Sequence, residues 1–223
     1  MGRTRIKGAI FDMDGTVIDS MKIWISLGER FLQAVNITPP ADLDEQIRNL
    51  TLHETAEFLV NELKIPYSVG ELERQIVGFI TDAYFNYIPE KPGIRLLLEY
   101  LRENNVRMCV ATNTDSPLAR PALERLDLMK YFEFIITCSD VKSGKDKPVI
   151  FNEALIRLGT DLPETTVFED ALYAVKTAKS AGFRVIGVYD DTAANDTDEI
   201  KSICDAYIRD YTDDLELFKK EFF

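Results

Sequence analysis

Two aspartates, Asp12 and Asp14, stand two residues apart in FDMDGT at the end of a continuous apolar run. On an extended backbone such positions share one side, and Gly15 lets the chain leave sharply. Three later apolar runs also end in polar groups. ATNTDSP supplies Thr112 and Asn113, with Ser116 expected as a helix cap and Pro117 at the first helical position, an end that faces anions. SDVKSGKDKP carries Lys142, Lys145 and Lys147, and FED carries Glu169 and Asp170. Singly, these are ordinary features: a turn, a backbone satisfier, solvated lysines and a helix start. Brought to one place, the carboxylates would repel one another unless a divalent cation and a lysine compensated them. An oxygen-only donor set of this kind fits Mg²⁺, which takes one or two carboxylates together with substrate phosphate oxygens and water.

The elements that would position these groups are short, continuous apolar segments, the pattern of a parallel sheet covered on both faces. Five are expected as strands: 6–13, 106–111, 134–137, 166–168 and 184–188. Helical patterns at 116–126, 149–158, 171–181, 196–203 and 213–222 follow or alternate with the later ones. That alternation predicts an α/β fold with a doubly wound, five-stranded parallel sheet of Rossmann-like type. In such a sheet ligands bind outside the carboxyl ends of the strands, where the polar groups just described lie. The first strand is separated from the second by a long stretch with amphipathic stripes and no good strand, read as an inserted helical bundle over 18–90. The α/β core is then 1–17 with 91–223. Thr51 and Glu54 form a capping box in the insert, and its stripes include Leu27, Phe31 and Leu32, then Leu72, Ile76 and Ile80. Val17–Asp19 and the Pro89, Pro92, Gly93 segment make two adjacent linkers, the arrangement of a hinged lid.

Charge and composition narrow the function. With 26 Lys+Arg against 38 Asp+Glu the net charge is −12, which disfavours a nucleic-acid partner. At 46% hydrophobic and 29% charged residues the chain is in the globular range, and no apolar run reaches spanning length, so no membrane is expected. The basic start, with only a short apolar stretch before the aspartates, does not read as a secretory signal. Three widely spaced cysteines, Cys109, Cys138 and Cys204, form no disulfide framework, and a reduced cytoplasm is the expected location. Cys109 and Cys138 read as core. His53, the single histidine, reads as a solvated residue at a helix start. Acid chemistry near neutral pH therefore falls to a carboxyl group.

The ordered set FDMDGT, the Thr112 segment, GKDKPVIF and VFED resembles the four motifs of the haloacid dehalogenase superfamily, in its branch of phosphatases and β-phosphoglucomutase-like enzymes with a helical cap after the first strand. The resemblance implies a Mg²⁺-dependent phosphomonoester hydrolase acting on a small phosphorylated metabolite. It implies Asp12 as nucleophile, Asp14 as general acid and base, and Thr112, Asn113 and a lysine as phosphate ligands. The metal ligands it implies are Asp12, the main-chain carbonyl of Asp14 and Asp170, with Glu169 either a further ligand or a hydrogen-bonding neighbour. Spacing to Pro148 and Phe151 selects Lys145; a rule wanting lysine directly before proline selects Lys147. ALYAVKTA after Asp170 departs from the family's serine- and glycine-rich continuation. Cap residues Lys22, Trp24, Arg48, Asn49 and Thr51 are candidates for substrate specificity.

Two rival readings share these residues. A sugar phosphomutase similar to β-phosphoglucomutase carries a histidine twelve residues past the nucleophile, where this chain has Trp24. A phosphoacceptor receiver module also uses Asp, Thr, Lys and Mg²⁺, but its acceptor follows the third strand and it has no long helical insert. Oligomeric state is not legible from the sequence.

Overall fold

The computed structural model describes residues 5–25, 27–35, 37–40, 42–47 and 52–223. Arg48, Asn49 and Thr51 lie outside the described residues, and with Thr51 so does the capping box expected there. The chain divides into two compact units, Met1–Asp19 with Ile88–Phe223, and Ser20–Tyr87.

The first unit is built on a parallel sheet of β1 (Gly8–Phe11), β2 (Arg107–Thr112), β3 (Ile135–Thr137), β4 (Thr165–Glu169), β5 (Arg184–Val188) and β6 (Ala206–Ile208), in the order β3-β2-β1-β4-β5-β6. The expectation of five strands is corrected to six. β6 is a three-residue edge strand between polar segments, too short to show a period, and pairing with β5 creates it. β1, β3 and β4 are buried along their length and β2 beyond its first residue, which is why these runs read as continuous rather than alternating. β1 is flanked by β2 and β4, so the winding direction reverses beside it, and a crevice forms at such a reversal.

The unit's helices, numbered after the five of the other unit, are α6 (Ile94–Glu103), α7 (Ser116–Arg125), α8 (Cys138–Val141), α9 (Val149–Leu158), α10 (Leu172–Ser180), α11 (Thr197–Ile203) and α12 (Leu215–Phe222). α6 went unforeseen because Pro92 and Gly93 read as a linker, yet four of its residues, Ile94, Leu97, Leu98 and Leu101, form a buried stripe. Ser116 proves to be the first helical residue of α7, and Asp115 holds the cap position. One face of the sheet packs Ile10, Cys109, Ile136 and Val167 against Phe151, Ala154 and Val175 from the helices and Phe183 from the turn before β5. The linkers pair with each other: the Asp19 amide donates to the Pro89 carbonyl at 3.0 Å and the Lys91 amide to the Val17 carbonyl at 2.9 Å.

The second unit is helical throughout its described elements: α1 (Met21–Ile25), α2 (Leu27–Ala34), α3 (Leu43–Ile47), α4 (Leu52–Glu62) and α5 (Val69–Asn86). α5 starts at a capping box in which the Ser68 side chain accepts from the Glu71 amide and the Glu71 carboxylate accepts from the Ser68 amide. Its buried stripe is Leu72, Ile76, Ile80, Ala83 and Tyr84. No described helix is long and apolar enough to cross a membrane.

Candidate active site

Strand register builds the site. Phe11 of β1 pairs with Phe168 of β4, their rings stacked with centroids 4.3 Å apart and planes 9° from parallel. The ladder runs one step further, the Asp12 amide donating to the Phe168 carbonyl at 2.9 Å. Asp12 thus leaves the sheet beside Glu169 and Asp170, above a stacked aromatic pair worth about 0.5–1.5 kcal/mol beyond its burial. Carboxylate oxygens of Asp12, Glu169 and Asp170 all lie within 4.8 Å of one another, and all three residues are buried.

Lys145 reaches the same point from the loop after β3. It is 1% exposed, and its ammonium donates to Asp12 Oδ1 and, at 2.9 Å, to Glu169 Oε1. Lys142 and Lys147 are exposed. Burial pushes the Asp12 carboxyl up, Glu169 adds to that push, and Lys145 opposes it. Burial also lifts Asp170 well above the carboxylate range, reinforced by Glu169, Asp12 and Asp190 and opposed by the Thr16 hydroxyl. For Lys145, burial pulls downward, but Asp12 and Glu169 outweigh it and hold the ammonium protonated. One ammonium cannot neutralise three buried carboxylates. Hard oxygen donors this close are the set a small divalent cation takes, so the residues fit Mg²⁺.

At the exit of β2, Thr112 is buried and its hydroxyl accepts from the Thr114 amide at 2.9 Å. Asp14, half-buried, accepts at Oδ2 from the Thr114 hydroxyl at 2.8 Å and from the Thr112 hydroxyl at 3.4 Å. Asn113 is exposed and bonded to Tyr173 and Cys138. Cys138, expected in the core, is only half-buried, because a short helix, α8, opens at it directly after β3. Cys109 is fully buried, and burial pushes its thiol far up. Among the cap candidates, Lys22 is exposed on α1; Trp24 is on the same helix, its side chain outside what is described.

Sequence reasoning missed several contributors. Thr16 donates to Asp170 Oδ1 at 3.0 Å, and its carbonyl accepts from the buried Tyr211 hydroxyl at 3.0 Å. Thr16 directly follows Gly15, so its signal was present in FDMDGT; Tyr211, near the far end of the chain, had none. Thr114 was visible as a second hydroxyl two residues past Thr112. Asp190, at the exit of β5, is buried and paired with Lys91 at 2.5 Å. It could have been found by reading that strand end as the others were read.

A family model described as haloacid dehalogenase-like hydrolase matches residues 9–188. The phosphorylated carbohydrates phosphatase of Thermotoga maritima is 30% identical over 184 residues, 82% of this chain and 85% of that one. The validoxylamine A 7'-phosphate phosphatase of Streptomyces hygroscopicus is 27% identical over 219 residues, 93% of this chain and 95% of the relative. Among solved structures, the "putative beta-phosphoglucomutase from Thermotoga maritima" superposes with a TM-score of 0.83 at 27% identity, covering 96% of this chain and 99% of that one. The match spans both the aspartates that follow β1 and Glu169 and Asp170 at the end of β4, and on it the chain belongs to the haloacid dehalogenase-like hydrolase family.

Proposed function

We propose that the protein is a Mg²⁺-dependent phosphomonoester hydrolase that acts on a small phosphorylated metabolite, a sugar phosphate being the first class to try, through an aspartyl phosphate on Asp12. One observation carries the reading: the buried Asp12 carboxylate bonds to Lys145 and shares a 4.8 Å cluster with Glu169 and Asp170. The similarity to a phosphatase of phosphorylated carbohydrates supports the substrate class.

Asp12, Glu169 and Asp170 would hold the cation, which supplies positive charge for the phosphoryl oxygens and keeps the nucleophile ionised. Lys145, already on Asp12, adds a second positive charge on the phosphoryl group, and Thr112 and Asn113 add hydrogen-bond donors. An oxygen of Asp12 attacks phosphorus as the ester P–O bond breaks, and Asp14 gives its proton to the departing alkoxide. Asp14, now a carboxylate, takes a proton from a water whose oxygen attacks phosphorus. The bond to Asp12 breaks and inorganic phosphate leaves. The Thr114 hydroxyl suits both stages, since it can donate to the carboxylate and accept from the acid.

The test is phosphate release from a panel of sugar, nucleotide and small-acid monophosphates with Mg²⁺ and with EDTA. Multiple turnovers with Mg²⁺ and none with EDTA are expected; a protein that takes up one phosphoryl group and stops would overturn the reading. A mutase is the second reading, favoured by the superposition on the β-phosphoglucomutase-like structure. Interconversion of glucose phosphate isomers exceeding phosphate release would select it.

A further inference from the structure

The β2 exit is tied to the exits of β3, its neighbour, and of β4, on the far side of β1, by side chains that the phosphoryl chemistry leaves unexplained. Asn113 donates from Nδ2 to the Tyr173 hydroxyl at 2.8 Å and accepts at Oδ1 from the Cys138 thiol at 2.8 Å. Two residues further on, Asp115 Oδ1 accepts from the Ser139 hydroxyl at 2.5 Å. Cys138 and Ser139 open α8 after β3, and Tyr173 lies in the first turn of α10 after β4.

Stability is a poor reason for these bonds. Tyr173 is 48% exposed and Asn113 is exposed, so each bond competes with water and nets only about 0.5–1.5 kcal/mol. Ordering side chains at the surface offsets much of that. What the bonds do is engage both ends of one carboxamide, which sets its plane and tells its nitrogen from its oxygen. One N–H of Nδ2 is then left pointing away from Tyr173. The bracket borders the acidic cluster: Glu169, Asp12 and Lys145 all act on the Tyr173 phenol, which burial first of all keeps protonated, and the same three charges act on the Cys138 thiol.

We propose that Tyr173, assisted by Cys138, is a positioning residue that holds the Asn113 carboxamide where its second N–H meets a phosphoryl oxygen of the substrate. The proposal rests on the hydrolase reading above.

Tyr173→Phe removes the hydroxyl and keeps the ring. Its KM for p-nitrophenyl phosphate should rise about three- to tenfold with kcat nearly unchanged, the signature of lost uniform binding. Inorganic phosphate, titrated calorimetrically into the full chain with Mg²⁺, should weaken by the same factor. Cys138→Ala should show part of the defect and Cys138→Ser, which keeps a donor, should restore it. On an Asn113→Ala background, Tyr173→Phe should add nothing. Additive effects would mean that Tyr173 acts on the substrate directly and would overturn the proposal, as would an unchanged KM and phosphate affinity in Tyr173→Phe. A wild-type chain that neither binds phosphate nor turns over would instead remove the hydrolase reading beneath it.

Discussion

Asp12 and Asp14 are two positions apart on one segment, yet their surroundings differ in kind. Asp12 is buried against a lysine and two further carboxylates; Asp14 is half-buried and held by threonine hydroxyls. A carboxylate locked in a charged cluster suits in-line attack, whereas one held by groups that both donate and accept suits proton transfer in both directions. Asp12→Asn should therefore abolish the phosphoenzyme and lower kcat on the order of 10⁴-fold or more. Asp14→Asn should slow formation and breakdown of the phosphoenzyme alike, by about 10²- to 10⁴-fold, while Mg²⁺ still binds. Acid-quenched labelling and single-turnover phosphate release separate the two, and an active Asp12→Asn would end the assignment.

At the scale of elements, turns and helix pairs set where these residues go. Gly93 precedes α6 at φ +76°, and a Cβ there would meet the Thr212 amide nitrogen at 2.8 Å and the Tyr211 carbonyl carbon at 3.1 Å. Gly93→Ala should cost about 1–3 kcal/mol from backbone strain, with more from the contact, read as a lower urea midpoint. Tyr211 bonds to Thr16, which bonds to Asp170, so the strain lies two hydrogen bonds behind the acidic cluster. In the helical unit, His53 of α4 bonds through Nδ1 to Glu73 of α5 at 2.7 Å, with Glu57 at 3.6 Å from Nε2. The hydrogen bond to Glu73 raises the His53 pKa above its usual 6.5. Its protonated form is thus favoured by folding, so this stabilisation is fully present below about pH 6.5 and is lost as pH rises through the raised value. Thermal melts of wild type and His53→Gln should diverge at pH 5.5 and converge by pH 8.5.

For the whole molecule, the buried acidic cluster is a cost that a bound cation would remove. Mg²⁺ binding only the folded chain at a hundredfold excess over Kd stabilises by about 2.7 kcal/mol, roughly 5–10 °C in Tm for a chain of this size. EDTA should reverse the shift, and Asp170→Asn should abolish most of it. A Tm indifferent to Mg²⁺ would mean that the cluster is not a metal site.

What local chemistry dictates could be read from the chain alone. Apolar runs marked the central strands, an i, i+2 pair of aspartates and a following glycine marked the turn after β1, and the order of the motifs pointed to the family. β6 and α6 were not legible, the first because three residues show no period and the second because proline and glycine hid its start. Lys145 and Lys147 are equally polar and two residues apart in one loop; only the path of that loop after β3 buries one against Asp12 and leaves the other in water. The Tyr211 contact, the Lys91–Asp190 pair and the Asn113 bracket join residues from 25 to 195 positions apart. Such contacts exist only once β1 has paired with β2 on one side and β4 on the other, because strand register, which no single segment encodes, decides which side chains meet.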